Sequence, residues 1–279
     1  MESPNAIYLH GVVDYAEIPA LFAELEAPPG VRCLPMGELG ALIRDVPLQE
    51  FGEDALHERM KDHKWLEEQV WNHARVLEAA MRFGTVIPMK FLTIFRTEER
   101  LLETLSALDE SLRALSARLQ GKEEWGVKSF CDLPIIQDAV EVQDDGVRQL
   151  KIQLAGKPSG TAYLLQKHYE ELVRRESTLR LAIHLEAISF RLSSVAQETR
   201  FNAPAQESST HPMVLNASLL ISKSAFSSLE NEIKALHQEY LPRGFAFELV
   251  GPFPPYSFSA LPLGSGHGKA GSPEGVFHV

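Results

Sequence analysis

Apolar positions in this chain recur with two periods, and the switches between them mark its elements. Ala6–Val13 is a near-continuous run of strand formers, the pattern of a strand buried on both faces. Residues 19–26 then predict a short helix, ended by Pro28-Pro29-Gly30. Val31–Met36 and Leu39–Val46 form two further strands around a turn at Gly37-Glu38, hence a hairpin. Across Asp54–Phe83 the period becomes helical: Val70, Ala74, Leu77 and Met81 fall at i, i+4, i+7 and i+11, on one face. Gly84, free to take positive φ, is the expected stop. Thr85–Phe95 returns to β-branched residues, and its Pro88, lacking an N–H, belongs at an edge or a bulge. The order β-α-β-β-α-β is the ferredoxin-like arrangement, an antiparallel sheet with helices on one face.

Thr97 reads as a helix N-cap, with Glu98 and Glu99 in a first turn whose dipole favours acids. Leu101, Leu105, Leu108, Leu112, Leu115 and Leu119 follow at alternating steps of four and three. That stripe is either the core face of a globular helix or a seam for self-association; it is shorter than the three to four heptads of a true coiled coil, which favours the core face. Glu124–Phe130 is a strand. Ala139–Gln143 and Val147–Leu154 alternate around Asp144-Asp145-Gly146, predicting a hairpin. A helix of nearly forty residues, capped by Ser159 or Thr161 and reaching about Thr199, presents Leu165, Tyr169, Leu172, Leu179 and Ile183 on one face, with Ser177-Thr178 a natural place to bend. Phe201–His211 is a polar linker, Pro212–Ser222 a strand, Ala225–Tyr240 a helix and Phe245–Gly251 a final strand. Two α+β domains result, each an antiparallel sheet with helices on one face, ferredoxin-like or a modification of it. Their expected bounds are 1–96 and 97–258, with 259–279 a disordered tail rich in Gly, Ser and Pro.

Composition narrows the partners. The 279 residues are 44% hydrophobic and 23% charged, ordinary for a globular chain with a sizeable core, and the formal net charge is −11. No basic stripe of the kind that binds nucleic acid appears. Met1-Glu2-Ser3-Pro4-Asn5 lacks the features of a signal peptide, and no apolar run is long enough to span a membrane. No lipid membrane is therefore expected as a partner, and Cys33 and Cys131 read as free thiols in a reducing cytoplasm.

Motifs for chemistry are sparse. The histidines are scattered, and the i, i+4 pair that places two metal ligands on one helix face is missing. Gly264–Ala270 resembles a phosphate loop but has Leu263 and Ala270 where the motif needs Gly and Ser/Thr. No nucleophile elbow occurs, and no Gly-x-Gly-x-x-Gly fingerprint follows a strand. The reading is therefore no catalytic, cofactor or metal site, with a small-molecule enzyme on a ferredoxin-like scaffold, or a self-associating helical scaffold, as the alternatives. Two segments dense in Gly, Pro and aromatics stand out, Arg82–Phe91 and Gly251–Phe258. Each is either a rigid turn packed back on the core or an apolar surface for a partner, in which case Phe83, Pro88, Met89, Phe91, Phe253, Tyr256 and Phe258 are the candidate contact residues. Pro254-Pro255 would hold its part extended and lower the ordering cost of binding.

Ile7-Tyr8-Leu9-His10-Gly11-Val12 resembles the opening of the gas vesicle protein F/L family. His73–Glu78 followed by Phe83–Phe91 resembles the family's central signature, although Leu92-Thr93 stands where many members have Gly-Thr. Glu124–Lys128 is similar to its strand into the second domain, and Gly251–Phe258 to its Gly-Pro-aromatic-Pro-Pro-Tyr-x-Phe ending. The four matches keep their order across residues 6–258. The resemblance implies a non-enzymatic accessory or minor structural protein of gas vesicle formation, without cofactors. It further implies association with the small hydrophobic shell protein, and with other accessory proteins, at the vesicle within the cytoplasm.

Overall fold

β1 (Asn5–Asp14) is buried from Ala6 to Val13, on both faces, as its unbroken apolar run requires. It pairs antiparallel with β3 (Leu39–Pro47), which pairs with β2 (Val31–Met36) through the expected hairpin, where Gly37 takes φ 69°. The computed structural model describes residues 5–17, 30–155, 159–205, 211–261 and 276–277; the helix expected over 19–26 lies outside them. The chain divides into two compact units, Met1–Glu124 with Pro252–Val279, and Trp125–Gly251. Residues 97–124 thus join the segment before them, and Pro252–Phe258 returns to that same unit, whereas the sequence pattern drew its boundary at 96.

In the first unit, short helices α1 (Leu48–Phe51) and α2 (Glu53–Arg59) precede α3 (His63–Phe83). The single helix expected over 54–83 is interrupted because Asp62 caps α3, accepting hydrogen bonds from Lys64 N and Trp65 N. The inward face of α3 is Gln69, His73, Val76, Leu77 and Ala80; Val70 is exposed, so the predicted face was rotated. Val76, Leu77 and Ala80 pack on Val13, Leu42 and Val86. Gly84 has φ −175°, extended backbone open to any residue, so the helix does not end in a left-handed glycine.

The last strand of the motif is split. β4 (Val86–Pro88) pairs with Gly11–Val13, and β5 (Ile94–Phe95) with Ile7–Tyr8. Pro88 ends its strand, where its missing N–H costs nothing to the ladder. Val276–Phe277 forms β10, and the sheet order is β10-β5-β1-β3-β2, with β4 beside β5 on β1. With β4 and β5 counted as one strand, this is the ferredoxin-like order. β10 (Val276–Phe277), within the stretch expected as tail, adds to β5.

α4 (Glu98–Ser106) is capped by Thr97, and α5 (Asp109–Leu119) follows after a break at Ala107-Leu108. Leu101, Leu105, Leu112, Leu115 and Leu119 are buried, so the leucine stripe is a core face and carries no self-association seam.

The second unit has the sheet order β7-β8-β6-β9, from β7 (Glu198–Asn202), β8 (Met213–Ser222), β6 (Lys122–Cys131) and β9 (Phe245–Phe253). α8 (Ser159–Val195), one continuous helix, and α9 (Phe226–Tyr240) bury Ile188, Leu192, Leu229, Ile233 and Leu236 against it. The hairpin expected over 139–154 is two helices, α6 (Leu133–Gln143) and α7 (Asp145–Leu154). Asp144 accepts a hydrogen bond from Val147 N at 2.9 Å, so the apparent turn is a helix cap. Residues 198–202, divided in the sequence reading between helix end and linker, pair with β8 as β7. Cys33 and Cys131 are free.

Candidate functional site

β1 carries one residue more than its partner. Leu9 lies opposite Ile43 and Gly11 opposite Leu42, so His10 is a bulge. On the other side of β1, the gap between β4 and β5 falls at the same level: Met89 N donates to the His10 carbonyl at 3.0 Å and Leu9 N to the Thr93 carbonyl at 2.9 Å. Residues 89–93 therefore leave the sheet as a loop hung on the bulge. Leu92 takes φ 60°, a costly conformation for a side chain branched at Cγ, and its N–H donates to the Tyr8 hydroxyl at 3.1 Å. Gly11 leaves no room for a Cβ, which would sit 2.8 Å from Leu77 Cδ2 and 2.9 Å from the Ile87 carbonyl oxygen.

Tyr8, His10 and His73 form a buried ring cluster. The Tyr8 hydroxyl and His73 Nδ1 are 3.0 Å apart. That hydroxyl also accepts from Leu92 N, so its own proton is free to be donated to Nδ1 of the neutral imidazole. The His10 and His73 rings stack at 5.4 Å, and neither nitrogen of His10 hydrogen-bonds to a described residue. Burial lowers His73 to a pKa of about 4, partly offset by the backbone of Met89. Burial, then the neighbouring His73 and Arg44, push His10 well below its ordinary value. Burial raises the Tyr8 phenol. Arg44 lies over the Tyr8 and Phe51 rings and donates to Gln69 Oε1 at 3.0 Å.

The strap Pro252–Ser259 closes over this cluster. Tyr256 stands 6.3 Å and Phe91 5.8 Å from the His73 ring. Ser257 donates twice to buried Glu124, from N at 2.9 Å and from Oγ at 2.5 Å. Arg118 donates to the Phe258 carbonyl, and Ser259 Oγ to the Pro88 carbonyl at 3.5 Å. The two segments singled out by their Pro and aromatic content therefore meet, although some 160 residues separate them.

Burial divides the candidate contact residues. Pro88, Met89 and Phe258 are core residues in this unit, Phe83 and Phe91 are half-buried, and Phe253 and Tyr256 remain 41% and 43% exposed. Pro254 and Pro255 between the last two are buried. The sequence reading missed His10, His73, Arg44 and Glu124 as parts of one arrangement. Its test for histidines was metal spacing, whereas the signal was a histidine inside an otherwise apolar strand. Among the described residues no group of three or more His, Cys, Asp or Glu could hold a metal ion. The cluster is suited to fixing a loop and a strap in place, because its titratable rings are buried and neutral.

These features define a two-sheet α+β protein whose site is a packed aromatic cluster beneath a strap with exposed aromatics. The chain belongs to the GvpL/GvpF family of gas vesicle synthesis proteins, whose model matches residues 6–260. It is 28% identical over 240 residues to gas vesicle protein L of a Streptomyces species, covering 84% of each chain. To gas vesicle protein L2 of Halobacterium salinarum it is 24% identical over 269 residues, covering 90% of each. The fold matches the crystal structure of the gas vesicle protein GvpF from Anabaena, with TM-score 0.71 at 20% identity, covering 92% of this chain and 99% of that one. The protein is thus one of gas vesicle formation. Among the described residues no helix is long and apolar enough to cross a membrane.

Proposed function

We propose that this protein is a non-catalytic accessory or minor structural component of gas vesicle assembly that binds the small hydrophobic shell protein, at the vesicle within the cytoplasm. One observation carries the reading: Phe253 and Tyr256 stand exposed on either side of two buried prolines, in a strap hooked down by Glu124 and Arg118. Aromatics held in place before binding lose little entropy on contact. A protein able to line a gas-filled shell carries apolar surface that aggregates if left uncovered. An acidic chain with a preformed aromatic surface supplies cover without itself aggregating, as its net charge of −11 favours solubility. Phe91, half-buried against His73, extends that surface beside Tyr256.

The test uses the full chain, because the first unit is assembled from both ends of it. Tagged wild type and a Phe253→Ser, Tyr256→Ser double variant are each co-expressed with the shell protein and purified. Wild type is expected to bring the shell protein with it, and the double variant to recover about tenfold less while keeping the circular dichroism spectrum of the folded chain. Wild type that recovers no shell protein overturns the reading. Equal recovery by the two overturns the assignment to the strap.

A further inference from the structure

Helix α8 is apolar on two sides. One side, with Leu181, Leu185, Ile188 and Leu192, packs into the core of the second unit. The other carries Leu172, Leu179, Ile183 and Phe190, at i, i+7, i+11 and i+18. At roughly 100° per residue these four lie within about 20° of a single line, and at 1.5 Å per residue the line runs about 27 Å. Leu179, Ile183 and Phe190 are 53%, 65% and 76% exposed. A surface helix ordinarily has one apolar side and one polar side; apolar residues on both are the pattern of a helix covered on both. Periodicity alone selects the Leu172–Ile183 side as a core face; Leu172 at its end does pack on Val140, Val147 and Val173, but Leu179, Ile183 and Phe190 are left uncovered. Beside it a groove of about 450 Å³ opens between α6, α8 and Pro242-Arg243, walled by Ile135, Ile136, Ala139 and Ile183.

Charge identifies the occupant. Arg180 and Arg243 line this groove together with His184 and no carboxylate. Along the stripe itself the charge is mixed, with Glu176 and Glu186 within about 40° of its line and Arg175 within about 60°, so the uncompensated cationic lining is that of the groove. Arg175 pairs with Glu176 and Arg243 with Glu239, while Arg180 donates to neutral Gln143 at 2.7 Å. After burial, Arg243 and Arg180 are what hold His184 below its ordinary pKa, and Glu239 alone opposes them. On a chain of net charge −11, this is a cationic groove beside an apolar stripe. A second copy of the chain is a poor match, because two-fold pairing through this groove sets Arg180 and Arg243 of both copies into one interface.

We propose that the α6–α8 groove docks an acidic amphipathic helix of a partner protein. Its apolar side chains cover Leu179 and Ile183, and its carboxylates meet Arg180 and Arg243. This does not rest on the shell-protein reading, which uses the strap of the first unit.

Two fluorescent helical peptides of identical leucine pattern, one flanked by Glu and the other by Lys, are titrated against the full-length protein. The Glu peptide is expected to bind, more weakly as salt rises. It should lose about tenfold or more in affinity with Ile183→Asp, an exposed position whose change leaves the circular dichroism melt intact. Arg180→Glu should remove the preference for Glu over Lys. Any of three results overturns the proposal: the Lys peptide binds as well as the Glu peptide, neither binds, or Ile183→Asp has no effect. Sedimentation showing a wild-type dimer that Ile183→Asp dissolves overturns it too, in favour of a second copy.

Discussion

At neutral pH His10 and His73 are uncharged, because burial withholds the water an imidazolium needs and Arg44 adds a like charge beside His10. The other titratable groups facing the pair are the Tyr8 and Tyr256 phenols. Acid therefore separates the folded and unfolded states. An unfolded histidine takes up its proton near pH 6.5, whereas folded His73 does so only near pH 4. Between those values the unfolded chain binds more protons, so stability is full above about pH 6.5 and falls as pH falls. His73 alone accounts for about 3 kcal/mol by pH 4, and His10 acts in the same direction. Urea unfolding at pH 7 and pH 4.5 checks this. His73→Gln should show a pH dependence smaller by about one proton, and an unchanged slope would remove His73 from the account. Of this site, the sequence pattern made β1 and the two Pro-rich segments legible. It could not show that they meet, since the pairing of His10 with Met89 and of Tyr8 with Leu92 depends on a bulge that leaves no mark on hydrophobic period.

Elements were most legible where one period ran without interruption. β1, the β2–β3 hairpin, β8 and α9 fall within a few residues of their predicted limits, because one side of each is committed to the core. Misreadings cluster where a polar residue has two uses. Asp-Asp-Gly serves a hairpin turn, and an aspartate with free backbone N–H groups beyond it also caps a helix; Ile136, Val140, Val147 and Leu150, all buried, carry the helical spacing that decides between them. Asp144→Ala is expected to cost about 1 kcal/mol by chemical denaturation. Asp145→Ala should cost close to nothing, since its contact with Arg148 is an exposed pair. Equal effects would show that the cap is not what holds α7.

For the molecule as a whole, the first unit is finished by the far end of the chain. Phe258 is fully buried there, and its strap is hooked to Glu124, Arg118 and Pro88. Phe258→Ala is expected to cost about 3–5 kcal/mol, read as a lowered unfolding midpoint. A change under about 1 kcal/mol would mean that the strap is dispensable to that unit. Contacts that distant escape any reading of local pattern, because a strap of three prolines and three aromatics looks the same whether it closes its own segment or one made much earlier. The same arrangement sets an order of events during synthesis. Residues up to Glu124 leave the ribosome first, but the strap emerges only after Trp125–Gly251, a delay on the order of ten seconds at ordinary rates of translation. The second unit, continuous in the chain, can fold meanwhile. The first must wait with its aromatic cluster open, so a nascent chain stalled before Pro252 would present Tyr8, His73 and Phe91 to chaperones.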